Sequence, residues 1–185
     1  MSNLPSDRDQ ARQWAQQLLA RGDFLVLDSE TTGLGGDAEI VQIAIIDPQG
    51  RTLLDTLVRP VRPIPMDATH IHGITNERVA DSPTFADIAP QLRTLLSGET
   101  VVIYNSDFDV RLMEQSAQAR GLTYEIPIFS GEYQDAMEEY SAWCGEWSQY
   151  RGNYRWQRLP GGDHTALGDA RACLAIIKRM ADEGR

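Results

Sequence analysis

The feature that most constrains this chain is the segment 24–30, Phe-Leu-Val-Leu-Asp-Ser-Glu, an apolar run that turns acidic at its end. Four consecutive apolar residues leave no solvent face, which suits a strand at the centre of a sheet with both faces covered. Residues i and i+2 of a strand share a face, so Asp28 and Glu30 project side by side from the strand end. Like charges at that range repel and raise each other's pKa, and a cation between them relieves the repulsion most naturally. Oxygen-rich sites of this kind suit Mg²⁺ or Mn²⁺. Taken alone, an Asp-x-Glu pair is more often a solvated strand end than a metal site. The turn that follows, Thr31-Thr32-Gly33, has hydroxyls and backbone N–H groups to offer a phosphate.

Around this strand the pattern predicts a helix over 7–20, capped by Ser6 or Asp7 and ended by Gly22. Segments 38–50 and 51–60 read as strands joined by a Pro/Gly turn, an antiparallel hairpin. Residues 60–83 are proline-rich and read as a surface excursion with at most short helical turns. A helix over 84–96 carries Pro90 as a blemish, a fourth strand covers 99–105, and a helix over 106–121 has a serine or aspartate cap. The run 124–130 reads as a short fifth strand, near an edge because of Pro127. Residues 131–150 read as helical, 150–163 as a loop, and 164–185 as a final helix. A leading hairpin followed by crossover helices argues for an α/β fold, a mixed sheet flanked by helices. The length of 185 residues suits one domain. We divide it into an N-terminal helical segment (1–22) and a single domain (23–185).

Two further acids stand out. Asp109 lies in Tyr104-Asn105-Ser106-Asp107-Phe108-Asp109, in the first turn of a helix, where any aspartate is favoured by the helix dipole. Asp107 competes for the same role, and spacing does not choose between them. Asp169 sits among the small residues Ala166 and Ala170 of the last helix, where an acid needs a partner or a metal. His164 lies just ahead of that helix on a loop, as a surface histidine or as a general base for water. His70 and His72 fall in the proline-rich excursion and read as packing or locally bonded groups.

The net charge of -10 argues against a general nucleic-acid binder, which carries a basic footprint. Clustered carboxylates that hold divalent cations answer that objection, because the cations restore positive charge where a phosphate would sit. Cys144 and Cys173 form no Cys-x-x-Cys pair and read as small hydrophobes. The N-terminus lacks a signal-peptide core and no window is apolar enough for a membrane span, so a cytoplasmic protein without membrane partners is expected.

The set Asp28-Ser29-Glu30-Thr31-Thr32-Gly33, Asn105-x-x-Phe108-Asp109 and His164-x-Ala166-x-x-Asp169 resembles the three exonuclease motifs of the DEDDh (DnaQ-like) family. Ile71-His72-Gly73-Ile74-Thr75 and Pro83-Thr84-Phe85 look like that family too, so the resemblance covers roughly residues 24–182. It implies a ribonuclease H-like fold, a five-stranded mixed sheet with strand two antiparallel to the others. It implies two Mg²⁺ or Mn²⁺ ions held by Asp28, Glu30, Asp109 and Asp169, with Asp28 reaching both and Asp109 acting through water. His164 would deprotonate the attacking water. The resemblance favours Asp109 over Asp107, because only Asp109 follows the phenylalanine. Thr31, Thr32, Gly33, Leu34, Asn105 and Phe108 would contact the terminal nucleotide. The implied activity is 3′→5′ exonucleolytic hydrolysis of a single-stranded DNA or RNA 3′ end, releasing nucleoside 5′-monophosphates.

The stretch 135–162 departs from the proofreading members of that family. It is rich in tryptophan and tyrosine and ends in a basic-aromatic run, 150–158. Arg151, Tyr154, Arg155, Trp156 and Arg158 suit a strand-gripping loop, arginines for phosphates and aromatics for bases. They equally suit a local mini-core with arginines lying over apolar rings. Two other functions compete with a free-standing enzyme. One is an accessory subunit that depends on a polymerase or DNA-processing complex. The other is a catalytically silent nucleic-acid-binding module, which would normally have lost one of the five motif residues.

Overall fold

The computed structural model describes residues 6–122 and 131–182. The expected strand at 124–130 lies outside the described residues. Helix α1 (Asp7–Arg21) precedes β1 (Phe24–Thr31), β2 (Ile40–Ile46) and β3 (Thr52–Leu57). Then come α2 (Met66–His72), α3 (Asn76–Val79), α4 (Phe85–Leu96), β4 (Thr100–Ile103) and α5 (Ser106–Ala119). The chain continues through β5 (Glu132–Asp135), α6 (Ala136–Cys144), a small hairpin of β6 (Trp147–Ser148) and β7 (Asn153–Tyr154), and α7 (Ala166–Asp182). The sheet order is β3-β2-β1-β4-β5. β2 runs antiparallel to β1 and β3, while β1, β4 and β5 are parallel. This is the ribonuclease H-like mixed sheet, with β1 at its centre. Among the described residues, no helix is long and apolar enough to cross a membrane.

Alternation along β1 divides the core. Leu25 and Leu27 face a cluster completed by Ile43, Leu92 and Leu112, beneath α4 and α5. Phe24 and Val26 face the opposite cluster with Val102, Leu174 and Ile177. Helix α1 adds Ala11, Ala15 and Leu18 to that second cluster, so its apolar stripe covers this protein's own core. Ser6 caps α1 by accepting from the Asp9 N–H at 3.1 Å, and Gly22 closes it in the left-handed conformation. The Trp14 indole N–H donates to Gln134 at 2.8 Å and ties α1 to β5.

Several expectations are corrected. Glu132–Asp135 is a strand, inside a stretch expected to be helical. Its sequence, Glu-Tyr-Gln-Asp, has no apolar alternation because it forms the half-exposed edge of the sheet. Gly131 allows that approach, since a Cβ there would lie 3.1 Å from the carbonyl oxygens of Leu96 and Glu99. The expected loop 150–163 begins inside the β6–β7 hairpin. Pro90 lies within α4 without ending it. The excursion 60–83 is more than surface: Ile64, Ala68, Ile74 and Val79 pack with Val41 of β2 into a third small core. Helix α5 is not capped by a serine or aspartate of its own segment. Its N-cap is Asn105, whose φ of 72° makes it left-handed and whose side chain makes no cap bond. The distant Asp135 carboxylate accepts from the Asn105 N–H at 3.2 Å and the Ser106 N–H at 2.8 Å. The same carboxylate caps α6 by accepting from the Met137 and Glu138 N–H groups.

Candidate active site

The face division of β1 places the acids. Asp28 and Glu30 continue the Phe24 and Val26 side and meet Asp169 of α7. One oxygen from each of the three carboxylates lies within 4.8 Å of the others, and no histidine or cysteine belongs to the group. Ser29 points the other way, toward α5, where its hydroxyl donates to the buried Asp109 carboxylate at 2.5 Å. Asp109 thus stands outside the three-carboxylate group yet close enough for its charge to act on Asp28. Asp107 is exposed, and the structure brings Asp109, not Asp107, to the acidic cluster.

The electrostatics are those of an uncompensated anion cluster. Desolvation first, then repulsion by Asp109, Asp169 and Glu30, pushes the Asp28 carboxyl well above its ordinary range. Desolvation and repulsion by Asp169 and Asp109 push Glu30 up to about 7. Burial also raises Asp109, against the lowering effect of its Ser29 hydrogen bond. Either protons or a cation must balance these charges. The donors are all hard carboxylate oxygens, so the set fits a Mg²⁺- or Mn²⁺-type ion and not a zinc site built on thiolates or imidazoles.

Asp169 reaches the cluster through a built turn. One of its oxygens, Oδ1, accepts from the Asp163 N–H at 2.8 Å and the His164 N–H at 3.2 Å, which fixes the carboxylate in place beside Asp28 and Glu30. Glycines make room: a Cβ on Gly162 would lie 3.0 Å from Asp169 Oδ1, and one on Gly168 would collide with Asp163. Asp163 in turn accepts from the Thr165 N–H and hydroxyl. His164 is exposed and left-handed, with φ of 61°. Among the described residues, it and Asn105 are the non-glycine residues with positive φ, and both flank the site. Such conformations are uncommon outside glycine and gather where a site requires them.

Of the expected nucleotide contacts, Thr31 and Thr32 are buried and their hydroxyls close the turn. Thr31 donates to the Gly33 carbonyl at 2.9 Å, and Thr32 accepts from the Glu39 N–H at 3.0 Å. Their contribution is the shape of the loop, not free hydroxyls. Leu34 projects from it, 80% exposed. Asn105 and Phe108 line a 260 Å³ cleft at the start of α5 that Trp156 also lines. Of the basic-aromatic run, Arg151, Arg155, Trp156 and Arg158 are exposed. Tyr154 is half-buried, packing edge-on with the exposed Trp147 and donating its hydroxyl to Asp7 at 2.6 Å.

Sequence reasoning left Ser29 and Asp135 without a role, while His72 packs and bonds locally as expected. Ser29 and Asp135 are described above; each bonds across a distance in sequence that no local pattern signals. His72 is buried, and its Nδ1 accepts from the Ile74 N–H at 3.0 Å. Its Nε2 therefore carries the proton and donates to the Thr31 carbonyl at 3.2 Å, pinning the excursion to the end of β1. Burial keeps its pKa low, so the ring stays neutral.

An acidic cluster at the end of the central strand of this sheet defines a ribonuclease H-like nuclease. The model of the Exonuclease family (RNase_T) matches residues 25–177, and the chain belongs to that family. The chain is 40% identical over 187 residues to the uncharacterized exonuclease CP81 of Escherichia phage 186, covering 94% of this chain and 93% of that protein. It is 38% identical over 122 residues to the DNA polymerase III subunit epsilon-like protein of Rhodobacter capsulatus. That alignment covers 62% of this chain and 17% of the longer relative. Exonuclease X in complex with 5′ overhanging duplex DNA superposes with a TM-score of 0.58 at 32% identity, over 88% of this chain and 93% of that one.

Proposed function

We infer that the chain is a divalent-metal-dependent 3′→5′ exonuclease that removes nucleoside 5′-monophosphates from a strand end. The observation that carries this reading is the convergence of Asp28, Glu30 and Asp169 within 4.8 Å, with Asp109 beside them. Asp28, Glu30 and Asp169 would hold one ion, and Asp28 and Asp109 a second, Asp109 through water. Two Mg²⁺ or Mn²⁺ ions would lower the pKa of the attacking water and offset charge at phosphorus and at the departing 3′ oxygen. The chain's own residues do the rest. Ser29 orients Asp109, and the Asp163 and His164 N–H groups orient Asp169. The His164 ring would accept the proton that water loses as its oxygen bonds to phosphorus. The P–O3′ bond breaks, the 3′ oxygen takes up a proton, and the strand is left one nucleotide shorter. Leu34 and Phe108 would bracket the terminal nucleotide, Asn105 would contact it, and the Thr31-Thr32-Gly33 turn would hold that pocket open.

The DNA bound to exonuclease X supports DNA as a substrate. RNA stays within the reading, since recognition of a 2′-hydroxyl depends on pocket shape. The polymerase III relative supports a second role for the same chemistry, as a nuclease that works beside a polymerase or DNA-processing partner. All five motif residues are present, which weighs against a silent binding module.

The test is a gel assay with 5′-labelled single-stranded DNA and RNA of one sequence, with Mg²⁺, Mn²⁺ or EDTA, beside Asp28→Ala. A metal-dependent ladder shortening from the 3′ end, abolished in a folded Asp28→Ala protein, is the expected result. Turnover retained in that variant removes the proposed site. A wild-type protein that leaves both strands intact removes the free-standing enzyme.

A further inference from the structure

The cleft beside the acidic cluster has two aromatic walls, each associated with an arginine. Phe108 immediately precedes Asp109 in α5, and the Arg111 guanidinium lies 5.3 Å from its ring centre. Trp156, 62% exposed, lines the same 260 Å³ cleft from the segment after the β6–β7 hairpin, and Arg151 lies 5.7 Å from its ring centre. A tryptophan this exposed is not spent on the core. Nor is its segment free to wander. The Tyr104 hydroxyl donates to the Gln157 carbonyl at 2.7 Å, and the Arg155 N–H donates to the Glu146 carbonyl at 2.8 Å. Tyr154 is tied to Asp7 of α1, so three parts of the fold hold Trp156 in place.

The geometry points to a second subsite, in which Trp156 is a stacking platform for one unpaired base just upstream of the terminal nucleotide. The inference rests on the exonuclease reading of the neighbouring acids. Three properties of the cleft favour this occupant. First, the cleft borders the site: Phe108 in its wall directly precedes the buried Asp109 in α5, and Arg111 in its wall reaches the Leu34 and Gly35 carbonyls of the loop after β1. Second, its volume falls below the roughly 300–1,000 Å³ of a drug-sized ligand pocket, so it suits one flat ring and not a whole nucleotide. Third, charge separates base from backbone. Asp107, Asp135 and Glu138 line the cleft against the single cation Arg111, so its lining is net acidic and disfavours phosphate, while Arg151, Arg155 and Arg158 lie exposed along the segment that carries Trp156. Among the described residues, none of these three arginines is paired with a carboxylate. A base therefore lies against the exposed Trp156 ring while its phosphates follow the arginines outside. Every base has a π-face, so the platform tolerates any sequence. It requires that the base be unpaired, which makes a single-stranded or frayed 3′ end the preferred substrate.

The experiment compares wild type, Trp156→Ala and Trp156→Phe on 5′-labelled oligonucleotides that are intact or abasic at one position near the 3′ end. Loss of a base–aromatic stack raises KM roughly 5- to 150-fold, and the loss falls on KM because the stack forms before the bond breaks. Trp156→Phe recovers most of it. One abasic position imposes a matching loss on wild type and no further loss on Trp156→Ala. An unchanged KM in Trp156→Ala, or losses that add at every abasic position, overturns the platform. If wild type fails to shorten any strand, the exonuclease reading falls instead, so the two failures are distinct.

Discussion

Glu30 offers the sharpest test of the electrostatics, because its cost appears without any turnover. Its carboxyl is pushed from an ordinary 4.5 to about 7 by desolvation, Asp169 and Asp109. In the absence of cations, the native site therefore retains a proton over a range where the unfolded chain has released it. That stabilising contribution is fully present below pH 4.5 and is lost as pH rises through about 7. Ionising the folded group at higher pH costs about 3 kcal/mol, reduced to about 2 kcal/mol because Glu30 keeps partial contact with solvent. Glu30→Gln keeps the shape and removes the charge. In EDTA at pH 8 the variant should be more stable by about 2 kcal/mol, a rise in Tm of roughly 4–8 °C for a domain of this size. At pH 4 the two proteins should melt together. Mg²⁺ or Mn²⁺ should raise the wild-type Tm more than that of the variant and narrow the gap. Thermal melts followed by circular dichroism over a pH series, with and without metal, supply the measurement. Equal melting at every pH in EDTA, or a less stable Glu30→Gln at pH 8, refutes the claim that the site is built around mutually repelling carboxylates.

The other catalytic positions give separable outcomes. His164→Ala should lower kcat roughly 10²- to 10⁴-fold, the usual worth of a general base, with Mn²⁺ affinity by titration unchanged. A lost Mn²⁺ affinity would make the ring a ligand instead. Ser29→Ala removes the hydroxyl that holds the Asp109 carboxyl down against burial. The acid limb of the pH–rate profile should then move upward by about one pH unit, since a hydrogen bond to a charged group is worth about 1.5–3 kcal/mol. A profile that does not move shows that Asp109 does not titrate in the active form.

Sequence by itself determined the parts that local chemistry encodes. The apolar run 24–27 could only be a central strand, and its alternation put Asp28 and Glu30 on one face. Asp109 and Asp169 were recognisable from motif context, and the antiparallel pairing of the second and third strands followed from the short turn before residue 51. What stayed hidden depends on partners far away in the chain. The strand Glu132–Asp135 has no apolar pattern, because an edge position beside β4 and not its own composition makes it a strand. The cap of α5 comes from Asp135, some thirty residues distant, and no cap motif records it. Ser29 reads as a spacer between two acids until α5 brings Asp109 against it, 80 residues later. Only the tertiary structure decided whether the basic-aromatic run was a buried mini-core or an exposed face. It divided the run, tying Tyr154 to Asp7 of α1 at the surface and leaving Trp156 in the cleft beside Phe108. Periodicity reports which side of an element is apolar. Which distant group meets the other side is settled when the elements pack, because buried charges and backbone N–H groups must then find partners wherever the fold places them.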